Sequence, residues 1–292
     1  MPFVPHRSDV QRFDNEDALA AALATRVLEA ILASPQLVLG LPTGRTPLAL
    51  YRELRKRSSL SRRLVRRPVR RSAEREGGSA TREGGSSPGG ARAKADWSGV
   101  RTFNLDEFVG LDADHPGSYR AFMQAELFDH VSIAPANIGM LNGRAPDLKA
   151  ECRRYEEAIA AAGGIDLQLL GIGANGHIGF NEPADGLCAH SHIADLEQES
   201  REANAQLFGG DWTAVPARAL SMGMATILGA RAIVLVATGA EKADAVYGML
   251  EGLITPRLPA SFLQVHPRVT VMLDDAASTR LSREADPTGS SQ

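Results

Sequence analysis

The tightest constraint on the fold is a series of short, almost continuous apolar runs. QLVLGL (36–41), VRTFNLD (100–106), IDLQLLGIG (165–173), AIVLVATG (232–239) and VTVMLD (269–274) have strand length and end at turn residues or acids. Between them lie amphipathic stretches of helical period: DNEDALAAALATRVLEAILA, TPLALYRELRK, SYRAFMQAELFDH, DLKAECRRYEEAIAAAG and EKADAVYGMLEGL. A strand that is apolar on both sides must be covered on both sides. Strands alternating with helices therefore predict an α/β fold, a mostly parallel sheet with helices on both faces.

Ligands of such sheets bind at the carboxyl ends of the strands. Three polar motifs follow apolar strands directly: LPTGRTP (41–47), NLDEF (104–108) and GANGHIGFNEP (173–183). The last overlaps GIGANG, which has the letters of a dinucleotide fingerprint. That fingerprint requires a helix opening inside it, whereas the stretch from Gly176 to Pro183 carries two glycines and ends in a proline, so the segment reads as a loop presenting polar side chains.

The remaining bounds are broad. A chain of 292 residues with 43% hydrophobic and 23% charged residues suits one domain spanning 1–292. Cys152 and Cys188 match no metal or redox spacing, which points to a reducing compartment. The first thirty residues hold early acids and no apolar signal core, and no run approaches the roughly 18 apolar residues of a membrane span. A soluble, cytoplasmic protein with no membrane partner is expected.

The net charge of −3 conceals a segment, 55–94, that carries +10, leaving −13 for the rest. Its second half, EREGGSATREGGSSPGGARAK, cannot bury enough surface to offset ordering entropy, so 58–95 reads as a disordered basic insertion. An arginine-rich arm for nucleic acid is the alternative. It is disfavoured because no aromatic residue is interleaved to stack on bases.

Each motif suggests a task. Thr43, Gly44, Arg45 and Thr46 lie between a strand and a helix opened by Thr46 as N-cap and Pro47, a place that favours a phosphate; a tight turn plus an ordinary cap is the alternative. Asp106 and Glu107 alternate, so one carboxylate can face the cleft as general base while the other turns inward, although such a pair, taken alone, is more often surface charge. His177, with Asn175 and Glu182 in the same loop, has the makings of a proton shuttle. A single histidine without partners at ligand spacing gives no metal site, and His190 and His192 read as solvent-facing.

LGLPTGRTP, TFNLDEFVGL, HPGSYRAFM, GIGANGHIGFNEP and LQVHP, in this order, strongly resemble the glucosamine-6-phosphate deaminases. The likeness runs from about residue 13 to about 280 apart from the insertion. It implies a fold like that of ribose-5-phosphate isomerases and 6-phosphogluconolactonases, a small amino-sugar phosphate as partner, and no cofactor. The reaction implied converts glucosamine 6-phosphate and water to fructose 6-phosphate and ammonia. By resemblance Asp106 moves the C2 proton to C1, and His177 opens the sugar ring with Asn175 and Glu182 setting its orientation and charge. Thr43, Gly44, Arg45, Thr46 and Lys242 hold the phosphate. Some members have Asp in place of Asn175. The family's phosphate-binding arginine falls on Gln206, leaving Arg45 or Arg201 as the substitute, and its activator-binding cations fall on His192 and Ala194, so no comparable activation is expected. A homo-oligomer stays open. A 6-phosphogluconolactonase-like hydrolase would need no carbon base, and a sugar-phosphate sensor with a basic arm would need neither proton-transfer group.

Overall fold

The computed structural model describes residues 9–58 and 95–281. The expected insertion therefore lies outside the described residues at 59–94, while Ser58 closes a helix. Seven strands form one sheet in the order β1-β10-β9-β6-β2-β3-β5, all pairs parallel. They are β1 (Asp9–Phe13), β2 (Val38–Leu41), β3 (Arg101–Asn104), β5 (Ile138–Gly139), β6 (Leu167–Leu170), β9 (Ala232–Ala237) and β10 (Val269–Asp274). Each of the five apolar runs supplies one strand.

Alternation along these strands divides the core. Val234 and Val236 of β9 join Leu39, Leu41, Leu167 and Leu169 in one apolar cluster, beneath helices α1 (Glu16–Ala33) and α2 (Leu48–Ser58) and the helix Tyr119–Glu126. Ile233 and Leu235 turn the other way and meet Val271, Leu273 and the helices Leu148–Ala161 and Ala243–Glu251. Both faces are dry, which explains strands that lack a polar side. Asn15, Ser118 and Asp147 cap their helices through side-chain oxygens that accept from backbone N–H groups. α2 differs from its sequence expectation: it begins at Leu48, and Thr46 and Pro47 stand in the turn before it.

A second, three-stranded antiparallel sheet has the order β4-β8-β7, with β4 (Asp106–Phe108), β8 (Arg218–Ser221) and β7 (His192–Asp195). The chain leaves the parallel sheet at Asn104, turns at Leu105 and enters the small sheet at Asp106. Backbone bonds to Leu41 O and from Met222 N hold Leu105 at that corner.

Candidate active site

Four adjacent strands, β9, β6, β2 and β3, deliver their carboxyl ends to one cleft of about 540 Å3. The turn after β2 supplies Thr43, Gly44, Arg45 and Thr46, and the chain leaving β3 supplies Asp106 at the start of β4. The loop after β6 supplies His177, and the turn after β9 supplies Thr238 and Lys242. Residues spread over 200 positions of sequence thus share one cavity, because parallel strands place all their carboxyl ends on one edge.

Asp106 and Glu107 divide as alternation requires, although on β4 rather than at the end of β3. Asp106 is buried at the floor of the cleft and accepts a hydrogen bond from Thr43 Oγ1 at 2.8 Å. Burial pushes its carboxyl up to about 7; the Thr43 bond pulls down and the Glu107 charge adds to the rise. Glu107 turns into the protein, where its carboxylate accepts from Tyr119 N at 3.0 Å and Arg120 N at 2.9 Å, the first N–H groups of the helix Tyr119–Glu126.

The loop 171–183 opens no helix, and its compactness depends on glycines. A Cβ on Gly173 would come within 2.3 Å of the His177 ring, so only glycine leaves room for the imidazole. Gly179 has φ 57°, and a Cβ there would sit 3.9 Å from Asp106 Oδ2, which shows how near the loop runs to that carboxylate. The loop is pinned to β8 by Phe180 N donating to Ser221 Oγ and by Asn181 Nδ2 donating to Met222 O.

His177 borders the cleft, and Glu182 and Asn175 stand behind it. His177 Nδ1 lies 3.4 Å from Glu182 Oε2, an ion-pair distance without hydrogen-bond alignment. Asn175 bridges the two: its Nδ2 donates to Glu182 Oε2 at 3.2 Å, and its Oδ1 accepts from His177 N at 3.1 Å. Burial pushes the Glu182 carboxyl up, but His177, Ser200 and Asn175 outweigh it and hold the group below the ordinary glutamate value. Ser200 Oγ donates to Glu182 Oε1.

Arg45 and Lys242 also line the cleft. Burial lowers the Lys242 ammonium from its usual value; Glu241 opposes this, Arg45 adds to it and Glu199 opposes it. Arg201, named in the sequence as a second substitute cation, is engaged elsewhere. Its guanidinium donates to Val215 O and Thr213 O and stacks on Trp212 at 5.0 Å. Gln206 is exposed and does not line the cleft.

Several residues at the site went unread in the sequence. Glu199, Glu202 and Asn204 come from the short helix Gln198–Asn204, whose sequence QESREAN has no apolar period to announce it. Tyr119 also lines the cleft and donates from its hydroxyl to Asn204 Oδ1 at 2.7 Å; its only signal was its place in HPGSYRAFM. His192 and Ala194 lie on β7. His190 is exposed as expected, whereas His192 is half-buried, and burial lowers its pKa. Among the described residues no group of three or more His, Cys, Asp or Glu is placed to hold a metal ion.

Residues 76–272 match the family described as glucosamine-6-phosphate isomerases/6-phosphogluconolactonase. A glucosamine-6-phosphate deaminase of Beutenbergia cavernae is 41% identical over 263 residues, covering 90% of this chain and 88% of the relative. Glucosamine-6-phosphate deaminase 2 of Bacillus subtilis is 40% identical over 269 residues, 92% of this chain and 95% of the relative. Among solved structures, a monomeric glucosamine-6-phosphate deaminase superposes with a TM-score of 0.79 at 35% identity, over 93% of this chain and 99% of the other. The 6-phosphogluconolactonase of Trypanosoma cruzi, at a TM-score of 0.67 and 18% identity over 97% of this chain and 100% of the other, shares the fold.

Proposed function

This chain belongs to the family of glucosamine-6-phosphate isomerases and 6-phosphogluconolactonases, and from that membership we infer that it is an enzyme that converts glucosamine 6-phosphate and water to fructose 6-phosphate and ammonia. The observation that carries this choice within the family is Asp106. A lactonase hydrolyses an ester and needs no carbon base, whereas this cleft contains a buried carboxylate whose pKa is raised to about 7.

Thr43, Gly44, Arg45 and Thr46 with Lys242 bind the phosphate. His177 exchanges a proton between O1 and O5 of the pyranose and opens the ring; Glu182 and Asn175 orient it and stabilise its charge. Asp106 then removes the C2 proton and returns it to C1 while a proton passes from the C2 amino group to O1, which leaves an imine at C2 that water converts to ketone and ammonia. Support for these roles comes from placement: Asp106 and His177 border one cleft, and Thr43 links the phosphate loop to Asp106. A carboxylate with pKa about 7 is half ionised near neutrality, where a carbon base must work.

We further propose that residues 1–292 act as one domain, that the protein works in the cytoplasm, and that nucleic acid is not its partner. Among the described residues no helix is long and apolar enough to cross a membrane, and Cys152 and Cys188 are free. Self-association is tested by sedimentation.

The deciding experiment is ammonia release from glucosamine 6-phosphate with chelator present and Asp106→Asn alongside. Release that survives chelation and falls at least a thousandfold in the variant supports the reading. Hydrolysis of 6-phosphogluconolactone without ammonia release from the amino sugar would overturn it.

A further inference from the structure

Glu182 is held from a direction that the loop motif does not contain. Its Oε2 faces His177 Nδ1 at 3.4 Å and receives Asn175 Nδ2 at 3.2 Å, both from the loop 171–183. Its Oε1 receives the hydroxyl of Ser200, on the helix Gln198–Asn204. Ser200 is 1% exposed, so no water competes for that bond. The helix itself is anchored to a neighbouring element: Tyr119 donates to Asn204 Oδ1 at 2.7 Å, and Asn204 Nδ2 donates back within the helix to Ser200 O at 2.9 Å.

We propose that Ser200 is a positioning residue for the proton shuttle: it fixes Glu182 and draws charge toward Oε1, setting how strongly Oε2 holds a proton on His177. The proposal rests on the reading of His177 as the ring-opening group. A hydroxyl donating to a carboxylate spreads and stabilises its negative charge. Without that donor, Asn175 still keeps Oε2 beside the imidazole, but the charge on Oε2 rises. The imidazolium is then favoured too strongly, and His177 returns its proton to the sugar less readily. A shuttle must do both halves of the transfer, so an overstabilised imidazolium slows turnover and leaves substrate binding alone.

The test is the titration of His177 by NMR in the parent, Ser200→Ala and Ser200→Thr, with the resonance assigned from its absence in His177→Gln. Ammonia release is measured on the same proteins. In Ser200→Ala the His177 midpoint is expected to move up by about half a unit or more, because loss of a charge-assisted bond changes the electrostatics at this scale. kcat falls about tenfold with KM within twofold, as expected when a general acid–base step is impaired. Ser200→Thr keeps a hydroxyl and returns both values toward the parent. A midpoint that stays put or falls in Ser200→Ala overturns the proposal, whatever happens to kcat, since loss of packing alone would leave it unmoved. If the parent releases no ammonia, the reaction assignment fails, while the His177 midpoint still decides the role of Ser200.

Discussion

At the residue scale, Asp106 trades stability for reactivity. Its pKa is raised to about 7 in the folded protein from an ordinary 3.8, so the folded state binds its proton more tightly than the unfolded chain. Its contribution is therefore fully favourable below pH about 4 and is lost as pH rises through about 7, at most about 4 kcal/mol. Asp106→Asn lacks that slope. Denaturant midpoints measured from pH 4 to pH 8 should show the variant gaining on the parent as pH rises, and parallel curves would contradict the buried-carboxylate account. The parent's kcat/KM should rise tenfold per pH unit below about 7 and level above it. Asn175 offers a second test. Its Nδ2 rests against Glu182 Oε2, so Asn175→Asp replaces a donor with a second negative charge while keeping the oxygen that receives His177 N. The imidazolium becomes more favoured, so the pH–rate profile of Asn175→Asp should differ from the parent's, and an unchanged profile would contradict this. The division of labour between Asp106 and Glu107 was legible, because neighbours on a strand point opposite ways. The involvement of Ser200 was not, since nothing in QESREAN marks one serine as buried against a loop 18 positions earlier.

At the element scale, the small antiparallel sheet explains why Asp106 is held still. β4 pairs with β8, aligning Asp106 with Ser221, and Ser221 Oγ accepts from Phe180 N in the His177 loop. One strand thus registers Asp106 against the loop of His177. Glu107 anchors the other side by capping the helix Tyr119–Glu126, where a carboxylate meets both backbone donors and the positive end of the helix dipole. Glu107→Ala leaves those buried N–H groups without partners. Chemical denaturation at pH 7 should report a loss of about 2–3 kcal/mol, against under about 1 kcal/mol if the cap were ornamental. The sequence hid this sheet because DEF, HIAD and RALS are too short to show a period. It also placed Thr46 as the cap of α2, where the helix starts two residues later and frees the 43–46 turn to line the cleft.

At the scale of the whole molecule, the cleft decides which cations are open to a ligand. Arg45 and Lys242 line it, while Arg201 is bound to Val215 and Thr213 and covered by Trp212. Arg45→Ala and Lys242→Ala should each raise KM for glucosamine 6-phosphate by about 10- to 100-fold, the worth of a charge-assisted phosphate contact. Arg201→Ala should change KM less than threefold; a larger change would mean that Arg201 turns toward the ligand. By itself the sequence determined the layered parallel sheet, since strands apolar on both sides admit no other cover, and it marked three loops as ligand-bearing, since such loops follow strands. Tertiary structure alone decided the strand order that sets β9, β6, β2 and β3 side by side, the helix that brings Ser200 to Glu182, and the placement of Arg45 in the cleft with Arg201 outside it. Local pattern records which face of an element is dry; which distant element covers it is settled only when the whole sheet closes.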